Sequence, residues 1–220
     1  MAKMALPSRA NREIMRLAEV ERDRLGHPYF GDEHLLLGVL AHAENPAAAM
    51  LTERGLELAT ARSEIARIVD DAGPIVRDDA ELLRDFGVDV AVMRRRLEST
   101  FGTLAVHEAT RSVRRRSRWR GGARHSPLCG PPYLTKRAQL IACSTASKGG
   151  AAEIRPEHLL YGVVRDAVDP LGAGLGRRGR REATRLGLRV GSPHPVRLLL
   201  TEHDIDMRQF GQELLDHLTS

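Results

Sequence analysis

GDEHLLLGVL (residues 31–40) has a near twin in RPEHLLYGVV (residues 155–164). Both read Glu-His-Leu-Leu, one variable residue, then Gly-Val. A repeated Glu-His pair can mean catalysis, metal ligation or a helix start used twice. Metal ligation on a helix wants two ligands at i and i+4, as in His-Glu-x-x-His, whereas Glu33-His34 and Glu157-His158 are adjacent, so no metal site is expected. The helix start fits better. Asp32 is the expected N-cap, Glu33 and His34 fall in the first turn, and Leu35, Leu36, Val39 and Leu40 form the apolar face. On this view Glu33 and Glu157 favour a helix N-terminus and His34 and His158 are partly buried packing residues.

The duplication extends outward from the twin words. HLLLGVLAHAENP lies over HLLYGVVRDAVDP, and LTERGLELATARSEIARIV (51–69) over LTEHDIDMRQFGQELLDHL (200–218). Between Pro170 and Val196 the second copy carries an insertion. Upstream, Arg9-Ala10 aligns with Arg137-Ala138, and the shorter distance from there to Glu157 implies that about one helical turn is lost. Each copy reads as four helices. Ile14, Leu17, Ala18 and Glu21 give the 3, 4 spacing of the first, stopped near Leu25-Gly26. Asn45-Pro46 starts the third and Gly55 stops it. Between the copies, 78–87 and 89–102 each begin with Asp and end in Gly, as two connector helices would. The expected architecture is all-α: a tandem pseudo-two-fold repeat over 1–70 and 133–220, with connector helices and an Arg-rich linker over 71–132 and an insertion at about 171–195.

Composition agrees. Aromatics make up 4% of the 220 residues while 42% are hydrophobic, which favours packed helices. Cys129 and Cys143 have no metal-ligand spacing and form no disulfide framework, and no signal-like or membrane-length apolar run occurs, so a cytoplasmic protein without membrane attachment is expected. The formal charge of +5 is concentrated in RSVRRRSRWRGGAR (111–124) and RRGRREATRLGLR (177–189). Without them the chain is net acidic. Both segments are rich in Arg and Gly, and 111–132 and 171–195 are expected to be poorly ordered surface segments.

The words SRA…GDEHLLLGVL…LTERGLEL and TKRA…RPEHLLYGVV…LTEHDIDM resemble the amino-terminal repeat domain of Clp-type AAA+ unfoldases such as ClpC and ClpA. The resemblance covers about two thirds of the chain. The unfoldase motor would need a Gly-x-x-x-x-Gly-Lys-Ser/Thr phosphate loop. GAGLGRRG (172–179) lacks that ending, so the resemblance is to a stand-alone Clp N-domain protein with the motor absent. It implies a docking platform for a Clp unfoldase, its adaptors or its protein substrates, with no cofactor and no catalysis. No Ser/His/Asp, Cys/His or paired-carboxylate spacing suggests an enzyme.

In ClpC-type members the domain can also recognise phosphoarginine. Carried over, the guanidinium partners are Glu33 and Glu157, and the phosphate sites are the helix starts at Ser8 and Arg9 and at Thr135 and Arg137. Pro7 and Asp32 depart from the family pattern, so the ligand is expected beside Glu157 and the Thr135 helix start, and more weakly beside Glu33. The alternative is a nucleic-acid binder that uses the Arg-rich segments, with Trp119 available for stacking.

Overall fold

The computed structural model describes residues 5–27, 29–42, 44–71, 92, 96, 99–100 and 134–219. The chain divides into two compact units, one of residues 1–75 with 127–220 and one of 76–126. In the second unit Val92, Arg96, Ser99 and Thr100 are helical. The connector helix expected over 78–87, the rest of 89–102, and 111–132 lie outside the described residues.

The first unit is helical, as the composition requires. Helix α1 (Arg9–Leu25) is capped by Ser8, whose Oγ accepts from the Asn11 amide at 3.1 Å. It buries Asn11, Ile14, Ala18 and Glu21, a 3, 4 stripe, and stops where Gly26 takes φ 72°, the left-handed conformation that glycine adopts without strain. Helix α2 (Asp32–Ala41) is apolar all round beyond its first turn and buried from Asp32 to Leu40, so it forms the centre of the unit rather than a half-exposed face. Helix α3 (Pro46–Thr52) begins on Asn45, whose Oδ1 accepts from the Ala48 amide at 2.9 Å. Helix α4 (Leu58–Asp71) buries Ala61, Ile65 and Ile68. The second half supplies α5 (Lys136–Lys148), α6 (Pro156–Ala167), α7 (Arg177–Arg185), α8 (Pro195–Glu202) and α9 (Met207–Thr219).

Each twin word becomes a buried helix, α2 or α6, and each rests on the helix before it through a glycine. A Cβ on Gly38 would lie 2.6 Å from the Ile14 carbonyl oxygen, and one on Gly162 would lie 2.2 Å from that of Ala138. Only glycine allows backbones so close. Gly38 and Gly162, Ile14 and Ala138, and the helix-ending Gly26 and Gly150 (φ 72° and 71°) all stand 124 residues apart. This register corrects the alignment of Arg137 with Arg9. The turn missing from α5 is its first one, because α5 begins at Lys136, three residues late on that register.

Both halves contribute to one core, in which Ile14, Leu36 and Ile65 join Leu160, Leu199 and Phe210. Burial of this kind stabilises by about 25 cal/mol per Å². Arg54 with Glu213 and His203 with Glu64 also bridge the halves, but such part-exposed pairs contribute at most about 1 kcal/mol each. A two-residue parallel ladder joins β1 (Leu6–Pro7) to β2 (Glu153–Ile154). The Leu6 and Ser8 amides donate to the Ala152 and Ile154 carbonyls at 3.2 and 3.1 Å. Pro7 therefore costs the ladder no donor.

The insertion differs from the expectation of a poorly ordered segment. Leu171, Ala183 and Leu188 are buried together with Tyr29, and Leu134, Leu175, Leu186 and Val190 pack against them. These apolar residues, interleaved with Arg and Gly, give 171–191 a small core of its own on the main one. The Leu171 amide donates to the Ser192 carbonyl and the Gly191 amide to that of Leu171, both at 2.9 Å, so the two ends of the insertion are tied together.

Candidate functional site

The twin helix starts use the same atoms. Gly31, not Asp32, is the N-cap of α2, and its amide donates to His34 Nδ1 at 2.9 Å. At α6 the Arg155 amide donates to His158 Nδ1 at 3.1 Å. Each histidine thus fills the N3 half of a capping box, satisfying an amide that the helix leaves free. Spacing alone did not suggest this role, because Glu or Gln usually fills it.

The acids beside them are covered. Glu33 is 1% exposed and Glu157 3%. Gly31 lets the Glu33 carboxylate fold back over the N-cap: a Cβ at Gly31 would sit 2.4 Å from Glu33 Oε2. Glu33 Oε1 has no hydrogen-bond partner, and burial pushes the carboxyl up to about 7. Arg155 occupies the corresponding place in the second word. Glu157 Oε2 is also unpartnered, while Oε1 lies 3.7 Å from His217 Nε2. Both carboxylates are therefore covered in this conformation.

The remaining candidate residues are brought together differently from the intramodule pairing expected. Ser8 caps α1, Arg9 is exposed, and Asn11 Nδ2 donates to the Ile154 and Arg155 carbonyls at 2.8 and 3.4 Å. The start of α1 thus meets the approach to the Glu157 word, not its own. Thr135 is buried and its Oγ1 accepts from Gln139 Nε2 at 2.9 Å. Arg137 is paired with Asp166, at 3.1 Å, and with Asp169. Those two acids occupy the guanidinium that the resemblance placed beside a phosphate.

Sequence reasoning missed the cluster behind Arg137. Asp32 is 1% exposed with both carboxylate oxygens unpartnered. Burial, and then the neighbouring Asp166, push it well above the ordinary range. His194, 4% exposed, has Nε2 3.8 Å from Asp32 Oδ2 and is pushed down to about 4 by burial and then by Arg137, which leaves it neutral. His194 comes from the end of the insertion, so no local motif announces the cluster.

His27, Glu33 and His34 place three possible ligand atoms within 4.8 Å of one another. Because His34 Nδ1 accepts from Gly31, its Nε2 carries the proton and donates to His27 Nδ1 at 2.9 Å. A metal would need that same Nε2 lone pair, and moving the proton to Nδ1 would set it against the Gly31 amide. The geometry favours the hydrogen-bonded histidine pair over a metal site.

No family model matches the chain. It is 38% identical over 58 residues to a probable ATP-dependent Clp protease ATP-binding subunit of Chlamydia pneumoniae, which covers 26% of this chain and 7% of that protein. It is 38% identical over 65 residues to the chloroplastic chaperone protein ClpC of Pisum sativum, 30% of this chain and 7% of the relative. With the chaperone protein ClpB of Oceanobacillus iheyensis it shares 34% identity over 58 residues, 26% and 7% of the respective lengths. The similarity thus spans a small fraction of each relative, and the chain carries a Clp-related helical region.

Proposed function

We propose that this chain is a non-catalytic protein-docking module, built from two copies of a four-helix unit like the N-terminal domain of Clp unfoldases, that regulates or supplies a Clp protease system. The observation that carries this reading is the partial identity to Clp ATP-binding subunits. The constant 124-residue register of the glycine contacts supports the duplicated unit. The proposed domains are 1–70 and 133–220, the latter with the 171–195 insertion, and 71–132 between them. The glutamate and histidine of each twin word act as helix-start residues, which leaves recognition to the outer surface. In this reading the partner is a Clp unfoldase, one of its adaptors or a protein substrate, in the cytoplasm. No described helix is long and apolar enough to cross a membrane.

The test is direct binding of the purified chain to a purified ClpC-type unfoldase, together with the rate of ATP-dependent degradation of an unfolded substrate by that unfoldase and its protease. A saturable change in rate that parallels binding is expected. No binding and no change at tens of micromolar would refute the reading.

One observation favours a second reading. Arg177, Arg178, Arg180 and Arg181 are exposed on α7 and form a basic surface suited to phosphates. Binding of RNA or DNA that weakens steeply with salt, and is lost when these four are replaced by Gln, would support it.

A further inference from the structure

Where α5 lacks its first turn, the 170–179 segment lies beside the shortened end and borders a half-open pocket of about 450 Å³. This is the size of a small-molecule or short-peptide site. Its walls include Leu134, Leu140, Leu171 and Leu175. We propose that this pocket binds an apolar ligand ending in a single carboxylate.

Its chemistry points to a monoanion. Lys136 and Arg178 line it, both exposed, and neither has an acidic partner among the described residues. The starts of α5 and α7 also meet there. Neither helix has an acid in its first turn or a side-chain cap, so first-turn amides remain available as donors. The independent sign of a ligand is His194, which is buried and lines the pocket. Its Nδ1 accepts from the Val196 amide at 3.3 Å, so Nε2 carries the proton. Asp32 Oδ2, at 3.8 Å, is beyond hydrogen-bond reach of it. A carboxylate would give that N–H an acceptor. Asp166, also in the lining and already paired with Arg137, opposes a second negative charge and so disfavours a phosphate dianion.

Two sources present this chemistry: a polypeptide C-terminus ending in apolar residues, and a free fatty carboxylate. The full chain is titrated calorimetrically with decanoate, with a short peptide ending in two leucines as the free acid, and with the same peptide as its C-terminal amide. Binding by at least one acid is expected. If the peptide is the ligand, its amide binds at least roughly tenfold more weakly, because the charge-assisted contacts are lost. Lys136→Gln and Arg178→Gln, both exposed positions, each weaken the acid by several-fold with an unchanged melting curve. Preference for the peptide over decanoate assigns the site to a C-terminus, and the reverse assigns it to a fatty carboxylate. The proposal is overturned if neither acid binds at millimolar concentration, if the amide matches the only acid that binds, if both variants bind like the wild type, or if inorganic phosphate displaces the acid.

Discussion

Replacing Glu33 by Gln tests whether the glutamate of the first twin word is a covered helix-start residue. Its carboxyl is pushed from the ordinary 4.5 to about 7, with burial the largest cause. Below pH 4.5 the group is protonated in both folded and unfolded chains and has no pH-dependent effect. Between 4.5 and 7 the folded chain binds more protons than the unfolded one, so stability falls as pH rises, and the loss is complete above 7. At about 1.4 kcal/mol per pH unit, the full loss is about 3 kcal/mol. Gln keeps a carbonyl acceptor and nearly the same volume but never ionises. The variant should lie within about 1 kcal/mol of the wild type at pH 5 and be more stable by about 2–3 kcal/mol at pH 8. Urea unfolding followed by far-UV circular dichroism across this range gives the difference, to which a smaller change at Asp32 contributes because the Glu33 charge is one of the causes of its upward shift. A difference that stays flat with pH would refute the burial argument and return Glu33 to the list of solvent-facing ligand groups.

Gly162→Ala should destabilise by about 1–3 kcal/mol in the same assay, because the clash with the Ala138 carbonyl outweighs the helix-propensity gain of about 1 kcal/mol; an unchanged midpoint would mean that α5 and α6 are not in close contact. Asn11→Ala removes the side-chain bonds to Ile154 and Arg155 and should cost about 1–3 kcal/mol, measured by urea midpoint. His158→Ala should cost about 1 kcal/mol through the lost cap. His34→Ala should cost more on thermal melting, because that ring also bonds His27 and stacks on Phe30.

Much of the helical layout was legible because it depends on local rules. The Ile14 and Ala18 stripe, the Gly26 stop and the Asn45-Pro46 start each follow from a few neighbouring residues. Asp32 misled for a physical reason: its type favours an N-cap, but α2 lies so deep that Gly31 takes that place and the Asp32 side chain turns toward Asp166 and His194. The insertion was misread because Arg and Gly dominate its composition, while the six leucine, alanine and valine side chains that fold it are spread over some twenty positions. The crosswise meeting of α1 with the approach to α6 depends on tertiary contact and has no sequence signal near either word.

The shortened α5 and the insertion belong to one structural problem. In the first half Ser8 caps α1 and β1 leads into it, so the helix start is covered by its own chain and by β2. In the second half α5 starts late and Thr135 makes no cap bond to its first turn, which would leave Leu134 and the first-turn amides open to solvent. The insertion lays Leu171, Leu175, Leu186 and Val190 against Leu134 and Tyr29, covering that apolar surface. Asp169, just before the insertion, joins Asp166 in neutralising Arg137. What the cover leaves unmet is the set of donors, namely the α5 amides, Lys136 and His194 Nε2. An added segment that satisfied only structure would be expected to cap those donors with a side-chain acceptor of its own; 171–179 brings glycines, Leu175 and two arginines instead. The late start of α5, where the resemblance placed a phosphate at Thr135 and Arg137, therefore adjoins the pocket whose unfilled donors call for a carboxylate.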